Sequence, residues 1–376
     1  MSDNTLNLRR EILKTIGTGA IATSLSACVA APLTRKYPRP YSRKSWVAPR
    51  ISIENVIREV VGHRPFRPGG FVVKSEKLGD KTVVHNYGHG GSGITLSWGS
   101  SALAVRETMG MEHRAVAVIG SGVMGLTSAR LLQDAGWKVT IYTRDMARHT
   151  TSNVAGGEWG PYGAHDPEVS SEAFKSQLAF AARIAHHAHT NLGGSVYGVR
   201  WLELYRPTNT PDDREDRPFS HLYPYEDVLG PNEHPFPTKY CKVSLTMMVE
   251  PGTFLRRLTE DFYQAGGKYV IQDFTDKEEL LALPEPVIFN CTGLGARQLF
   301  NDKELTPAKG QLVFMPPDPA IDYMTIGGGT SNLYMFPRTD VLLLGGTYKL
   351  GDWSTHPEPD ETARIVREHQ RLFSEF

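Results

Sequence analysis

Ala115-Val116-Ala117-Val118-Ile119-Gly120-Ser121-Gly122-Val123-Met124-Gly125 is a short apolar, β-branched run that ends directly in a glycine pattern. Leu126 to Ala135 then shows helical spacing, Gly136 stops it, and Lys138–Tyr142 reads as a second strand. Strand, GxGxxG, helix and strand within about 30 residues is the context in which such glycines indicate a dinucleotide site. Gly120 permits the tight turn, Gly122 lets backbone approach a pyrophosphate, and Gly125 lets helix and strand pack closely. The phosphates are expected over Val123 and Met124 at the helix N-terminus, where unpaired N–H groups and the dipole favour an anion. The second strand ends Tyr142-Thr143-Arg144-Asp145. Arg144 suits a 2′-phosphate and Asp145 a ribose hydroxyl, so this position does not choose between dinucleotides.

Working outward, the 376-residue chain balances 41 Lys+Arg against 41 Asp+Glu and is 40% hydrophobic, which makes it globular with no electrostatic footprint for nucleic acid. At roughly 100–200 residues per domain it is a two-domain or large α/β chain. Three widely spaced cysteines, Cys28, Cys241 and Cys291, provide neither a disulfide framework nor a CxxC pair. Cys291, in an apolar strand, is expected to be inert core.

Ahead of this core, Arg9-Arg10 with Leu13-Lys14 resembles a twin-arginine export pattern, followed by a short, weakly apolar stretch too polar to span a bilayer. Leu25-Ser26-Ala27-Cys28 resembles a bacterial lipobox, with Cys28 as the acylated residue. Residues 1–28 are therefore expected to be an export signal, with residues 29–50, rich in Pro, Arg and Lys, as a linker. This places the protein in the cell envelope, touching the membrane only through a lipid anchor.

The segment that decides the cofactor is Thr150-Thr151-Ser152-Asn153-Val154-Ala155-Gly156-Gly157-Glu158-Trp159-Gly160-Pro161-Tyr162, which resembles the flavin-contacting stretch of the D-amino-acid oxidase family. Other matches follow in order. Cys241–Leu258 resembles that family's strand, turn and helix, and Val287–Gly293 its second dinucleotide strand. Leu333–Pro337, Leu344–Thr347 and Gly351–Trp353 resemble its late substrate-domain strands. The family's last segments stand ahead of the fingerprint here. Gly62-His63-Arg64-Pro65-Phe66-Arg67-Pro68 resembles its substrate-arginine segment, after an Ile51–Val61 stretch that reads as the tail of a helix. Val83–Thr95, containing Gly88-His89-Gly90-Gly91-Ser92-Gly93, resembles its flavin-covering loop. The order is that of a circular permutation, with Glu107–Arg114 as the splice and Phe376 expected near Ile51.

The resemblance implies an α/β fold with an FAD-binding Rossmann-type domain interleaved with a mostly antiparallel substrate-binding domain. The expected divisions are 51–105 for the permuted segment, 113–163 and 251–310 for the FAD domain, and 164–250 and 311–376 for the substrate domain. It further implies FAD as cofactor and oxidative deamination of a small-molecule D-amino acid, a neutral one first, by hydride transfer to the flavin with oxygen as acceptor. Arg64 would bind the substrate carboxylate, Tyr334 would add its hydroxyl, and Gly91 would offer its carbonyl to the amine. Gly90, Gly93, Ile94 and Thr95 would contact the flavin through backbone groups. Thr150, Thr151, Gly156, Gly157 and Glu158 would line the pyrophosphate and ring, with Ile271 and Thr292 nearer the adenosine and isoalloxazine edges.

Departures from the family pattern are Thr330 in place of a lid tyrosine and Gly160 where some relatives carry Gln. A second cation for an acidic side chain is not obvious, His63 and Arg338 being the candidates. Other readings are a D-aspartate, glycine or other amine oxidase on the same scaffold, a flavin-binding envelope protein without oxidase chemistry, and a nicotinamide dehydrogenase. His186-His187-Ala188-His189 lacks acidic or Cys partners at ligand spacing and reads as a solvated helix end rather than a metal site. Asp212–Arg217 reads as a loop.

Overall fold

The Ala115–Ile119 run forms the strand β4 of a six-stranded sheet in the computed structural model, which describes residues 45–210, 218–328 and 333–376. The export signal with Cys28, the Asp212–Arg217 loop and Thr330 lie outside the described residues. The order of this sheet is β2 (Val72–Leu78), β3 (Lys81–Tyr87), β10 (Val287–Asn290), β4, β5 (Lys138–Thr143) and β9 (Lys268–Ile271). From β3 to β9 every neighbouring pair is parallel, with β2 an antiparallel edge. Parallel strands are covered on both faces, which is why β4 is apolar throughout rather than alternating. Val116 and Val118 pack into the core with helices α2 (Val123–Asp134) and α4 (Pro251–Gln264), whereas Ala117 and Ile119 pack with Leu280, Leu283 and Ile288 on the other face.

A helix α1 (Gly93–Arg106) follows β3 and lies between α2 and α3 (Glu172–Asn191). Its buried face is small and hydroxylated, and the hydroxyls pair rather than strand. Ser101 Oγ and Thr127 Oγ1 are 2.8 Å apart, and Asn86 Nδ2 donates to both Ser101 and Ser128 at 3.1 Å. At Gly99 a Cβ would fall inside the Ala181 backbone, so α1 and α3 touch main chain to main chain.

The second, nine-stranded sheet is mostly antiparallel. Its order is β1 (Arg58–Phe66), β11 (Thr306–Met315), β14 (Leu342–Gly345), β13 (Tyr334–Pro337), β12 (Tyr323–Ile326), β6 (Val199–Thr208), β8 (Tyr240–Val249) and β7 (Glu226–Leu229), with β15 (Lys349–Leu350) also on β11. One face packs Leu204, Leu312, Met324 and Phe336 towards the site, and the other packs Val313, Leu344 and Tyr323 with Ile365 and Leu372 of α6 (Pro359–Leu372), the helix that follows the one-turn α5 (Ala296–Leu299). The expected helix tail over Ile51–Val61 is instead a single turn at Ile53–Asn55 followed by β1. Nine consecutive residues of β1 pair with β11, from Arg58↔Phe314 to Phe66↔Thr306, and this long-range ladder overrides the local spacing.

Residues 58–106 thus supply an edge of one sheet and two strands of the other. Trp46 to Phe376 form one compact unit, whose ends meet. The Trp46 and Phe376 rings are 5.7 Å apart, and Gln370 Nε2 donates to the Ile51 carbonyl at 3.0 Å. The last residues of the expected linker are packed, since Tyr323 Oη also donates to the Val47 carbonyl at 2.8 Å. His189, expected in a solvated helix end, is buried beside Phe254 with Nδ1 on the Ala185 carbonyl, and burial pushes its imidazole down to about 4.

Candidate active site

The two sheets enclose a cavity of about 490 Å³ whose wall begins at the turn between β4 and α2. Gly120 has φ +105°, and a Cβ there would come within 2.6 Å of the Cys291 carbonyl, so only glycine closes this turn against the end of β10. Gly125 does not reach the cavity. A Cβ on it would fall on the Gly120 carbonyl, so it serves the contact between helix and turn. Gly122, Val123 and Met124 present the start of α2 to the cavity, and Ser152 Oγ accepts the Val123 N–H at 3.1 Å. Thr150, Thr151 and Gly156 form the adjoining wall, Thr292 lies at the end of β10, and Arg144 and Asp145 stand at the end of β5. The last two pair with each other at 2.8 Å.

At the other end, Gly90, Gly91, Gly93 and Ile94 line the cavity where the chain enters α1. Gly90 has φ +54° and lies under the Gly163 carbonyl, which also accepts the Gly91 N–H at 3.0 Å. Opposite them, Arg64 and Tyr334 project from one face of the nine-stranded sheet. Arg64 Nη2 donates to Tyr334 Oη at 3.1 Å, while the buried Nη1 has no partner among the described residues. Two glycines make this convergence possible. A Cβ on Gly310 would fall on the Arg64 guanidinium, and one on Gly345 would fall inside the Tyr334 ring. Gly91 touches the aliphatic stem of Arg64, its Cβ position 3.7 Å from Cδ.

Residues 115–376 match the FAD dependent oxidoreductase family. The chain belongs to that family. It is 34% identical over 256 residues to a D-amino-acid oxidase of Streptomyces coelicolor, a match covering 67% of this chain and 75% of the relative. A human D-aspartate oxidase is 27% identical, with 68% and 75% covered. Among solved structures, the fold is shared with L-alpha-glycerophosphate oxidase from Mycoplasma pneumoniae with FAD bound (TM-score 0.54, 15% identity, 71% of this chain and 80% of that one). Glycine oxidase from Geobacillus kaustophilus is similar (TM-score 0.51, 16% identity, 69% and 78% covered).

FAD is the cofactor of this family member, and the cavity fits it. The bare backbone at Gly120 and Gly122, with the positive end of α2 behind it, forms a cradle for a pyrophosphate. The Thr150–Gly156 wall and the Gly90–Ile94 turn leave room for a planar ring system between them. Four residues expected at the flavin stand elsewhere. Gly157 is tied to β8, its carbonyl accepting the Val249 N–H at 2.8 Å. Glu158 turns its carboxyl to Arg206, 3.9 Å away. Thr95 Oγ1 accepts the Gly160 N–H at 3.2 Å, bracing the segment rather than lining the cavity. Ile271 is 64% exposed at the end of β9, and the wall there is built by Gln272 and Asp273.

Neither candidate second cation faces the cavity as a free charge. Arg338 is held by Asp340 at 2.9 and 2.7 Å and donates to the Ala155 carbonyl at 3.3 Å, which pins the flavin-facing segment. His63 borders the cavity, but alternation along β1 puts its ring with Lys309, on the face opposite Arg64. Arg67 is engaged by Asp302 and Glu304, both at 3.0 Å. His89 is buried against Phe71 with ring centroids 4.6 Å apart, and burial pushes its imidazole down to about 3, so this wall stays neutral. The Cys291 thiol is likewise buried and pushed up to about 12, which keeps it protonated and inert.

Gly122 has an extended backbone that valine also adopts, and a Cβ there would lie 3.2 Å from Ser152 Oγ. Gly122→Val therefore covers the α2 N-terminus with no backbone strain, at the cost of a small shift of the Ser152 hydroxyl. Its FAD content per chain, read from flavin absorbance against protein, is expected to fall at least tenfold while the circular dichroism of the fold is retained.

Proposed function

We propose that this chain oxidatively deaminates D-amino acids to 2-oxo acids and ammonia, with oxygen reduced to hydrogen peroxide. The observation that carries the reading is the partly buried Arg64 guanidinium, whose shielded Nη1 has no partner among the described residues and whose Nη2 donates to the Tyr334 hydroxyl. A partly buried, half-satisfied guanidinium favours an anion that completes it, and a planar carboxylate does so with two parallel hydrogen bonds. Tyr334 Oη, receiving the Arg64 hydrogen bond, keeps its own proton free to donate to the same carboxylate. Holding the carboxylate on the sheet face leaves the α-carbon towards the Gly91 turn and fixes which face of it meets the ring. The chemistry that bound FAD would supply is acceptance of a hydride from the α-carbon, with oxygen as the final electron acceptor. The protein's part is orientation and exclusion of water. The D-amino-acid oxidase and D-aspartate oxidase relatives support this substrate class.

The flavin of the full-length protein is expected to bleach anaerobically with D-alanine and not with L-alanine, and to release peroxide in air. Arg64→Ala, which removes the anchoring charge and leaves the flavin walls intact, is expected to raise KM roughly 100-fold, in line with the few kcal/mol that a buried charged pair carries. Bleaching by neither enantiomer, or an unchanged KM, sinks this reading.

The order of segments is read as a circular permutation of the family pattern. Its support is threefold: the family match starts at residue 115, the relatives are covered over about three quarters of their length, and residues 58–106 complete both sheets. Termini that adjoin in space make such a rearrangement cheap. A chain rebuilt to run from Met111 to Phe376, through a short glycine-serine linker, and on from Trp46 to Gly110 is expected to fold and load FAD. Loss of both folding and flavin argues against the permutation.

The residues around Arg9-Arg10 and Cys28 support export with lipid anchoring at the cell envelope. Incorporation of labelled fatty acid that is abolished by Cys28→Ala tests this, and incorporation independent of Cys28 refutes it.

A further inference from the structure

Thr292 lines the FAD cavity, and the side chains that hold it there run back through the six-stranded sheet to the surface. Asn290, the last residue of β10, stands beside His85 of β3 in the parallel register, and His85 stands beside Lys74 of β2. Laterally paired residues share a face, so Lys74, His85 and Asn290 lie in line on it. Glu76, two residues along β2, shares that face and brings its Oε1 to 3.2 Å from His85 Nε2. His85 and Asn290 are buried, whereas the Glu76 side chain is 43% exposed. These side chains do not border the cavity themselves and reach it through Thr292.

Hydrogen-bond polarity leaves this chain one arrangement. The Thr292 backbone N–H can only donate, and it meets Asn290 Oδ1 at 3.3 Å, as does the Thr292 hydroxyl at 2.7 Å. With its oxygen committed, the Asn290 amide turns Nδ2 to His85 Nδ1, 3.0 Å away. Nδ2 is a donor, so Nδ1 must be bare and the imidazole proton sits on Nε2, towards Glu76. The Nε2–Oε1 contact is too far off line to be a hydrogen bond, so Glu76 attracts that proton without fixing it. A second proton on His85 would set two donors against each other at Nδ1 and Nδ2. An amide that rotates to relieve them sets Nδ2 against the Thr292 N–H instead.

The surroundings of His85 favour the neutral ring. Glu76 and Lys74, which pair at 3.3 Å, face it from β2, and Asp302 faces it from the turn after α5. The Phe300 and Tyr87 rings pack edge-on, with centroids 4.7 and 5.7 Å away. Burial pushes the imidazole down and Lys74 adds to this, against the pull of Glu76 and Asp302. Thr292 also abuts the dinucleotide turn, since a Cβ on Gly120 would lie 3.6 Å from Thr292 Cα. A shift at the end of β10 therefore disturbs the pyrophosphate cradle as well as the wall.

We propose that His85 is a positioning residue for FAD: its bare Nδ1 fixes the Asn290 amide, which holds Thr292 and the end of β10 against the cofactor, and protonation of His85 loosens that hold. The hold acts on the cofactor and is independent of the substrate class.

The test follows FAD release from the full-length holoprotein, read as recovery of flavin fluorescence on dilution between pH 5 and pH 8. Release from the wild-type protein is expected to be constant above pH 7 and at least threefold faster at pH 5, because the fitting form of His85 is the neutral one. His85→Leu, which cannot accept from Asn290, is expected to release FAD about tenfold faster at pH 7.5, in line with the cost of a buried donor left unpaired. His85→Asn, whose Oδ1 takes the place of Nδ1 and does not titrate, is expected to stay within about threefold of wild type at pH 7.5 and to lose the acceleration at pH 5. In Asn290→Asp the carboxylate requires a proton on Nδ1, so release is expected to slow as the pH falls, the reverse of wild type. A wild-type rate that is flat down to pH 5, acceleration that persists unchanged in His85→Asn, or His85→Asn no better than His85→Leu overturns the role. Should the variants fail to fold, nitrogen NMR of the wild-type holoprotein decides: a proton on His85 Nε2 at pH 7.5 is expected, and one on Nδ1 overturns the arrangement.

Discussion

The Arg64 guanidinium lies over Gly310 on the nine-stranded sheet, its shielded Nη1 without a partner among the described residues, and much of the molecule is arranged to keep it there. β1 carries it and β11 clears the space beneath it by having no side chain at Gly310, while β14 does the same at Gly345 for the Tyr334 ring. A buried charge without its counterion is tolerated only where the surroundings are rigid and a ligand completes it. The rigidity is present here. The β1–β11 ladder runs nine residues and Tyr334 holds one side of the fork, leaving the other open to the cavity.

The same β1 strand links the two halves of the site. It leads into β2 and β3, which add to the parallel sheet beside β10, and from there into the Gly90–Ile94 turn and α1. One continuous segment, residues 58–106, therefore positions Arg64 on one sheet and the turn facing it on the other. The rest of the cavity comes from the β4–α2 turn and the Thr150–Gly156 wall. Arg338 pins that wall through the Ala155 carbonyl, and Thr95 braces its continuation at Gly160.

Much of this was legible in the chain. The β4–α2 turn and the Gly90–Ile94 turn are set by local rules, because a backbone that must carry positive φ or lie against a carbonyl demands glycine wherever it occurs. What was not legible depends on partners far away in sequence. Ile51–Val61 reads locally as the end of a helix, yet only a single turn at Ile53–Asn55 forms and the chain is strand from Arg58 on, because β11, some 250 residues away, supplies the ladder. Glu158 sits inside a flavin-contacting motif but turns away from the cavity, since Arg206 lies on that side. Ile271 ends β9 exposed to solvent, and the cavity wall there begins only at Gln272. Gly310 and Gly345 carry no local signal. Their meaning is the space they leave for Arg64 and Tyr334, which only the register reveals.

The sequence by itself determined the dinucleotide turn and the flavin as cofactor, and it singled out Arg64 and Tyr334, which the fold brings into hydrogen-bond contact, because each rests on residue types that one short motif requires. Tertiary structure decided which face each side chain takes, which glycines act as clearances and which charges are spent on structure. Arg67, three residues from Arg64, and Arg338, a candidate second cation, are both neutralised by carboxylates within 3.0 Å, and Arg64 by none among the described residues. The physical reason is that the chemistry of a charge is set by what surrounds it in space, and strand pairing across hundreds of residues chooses those neighbours.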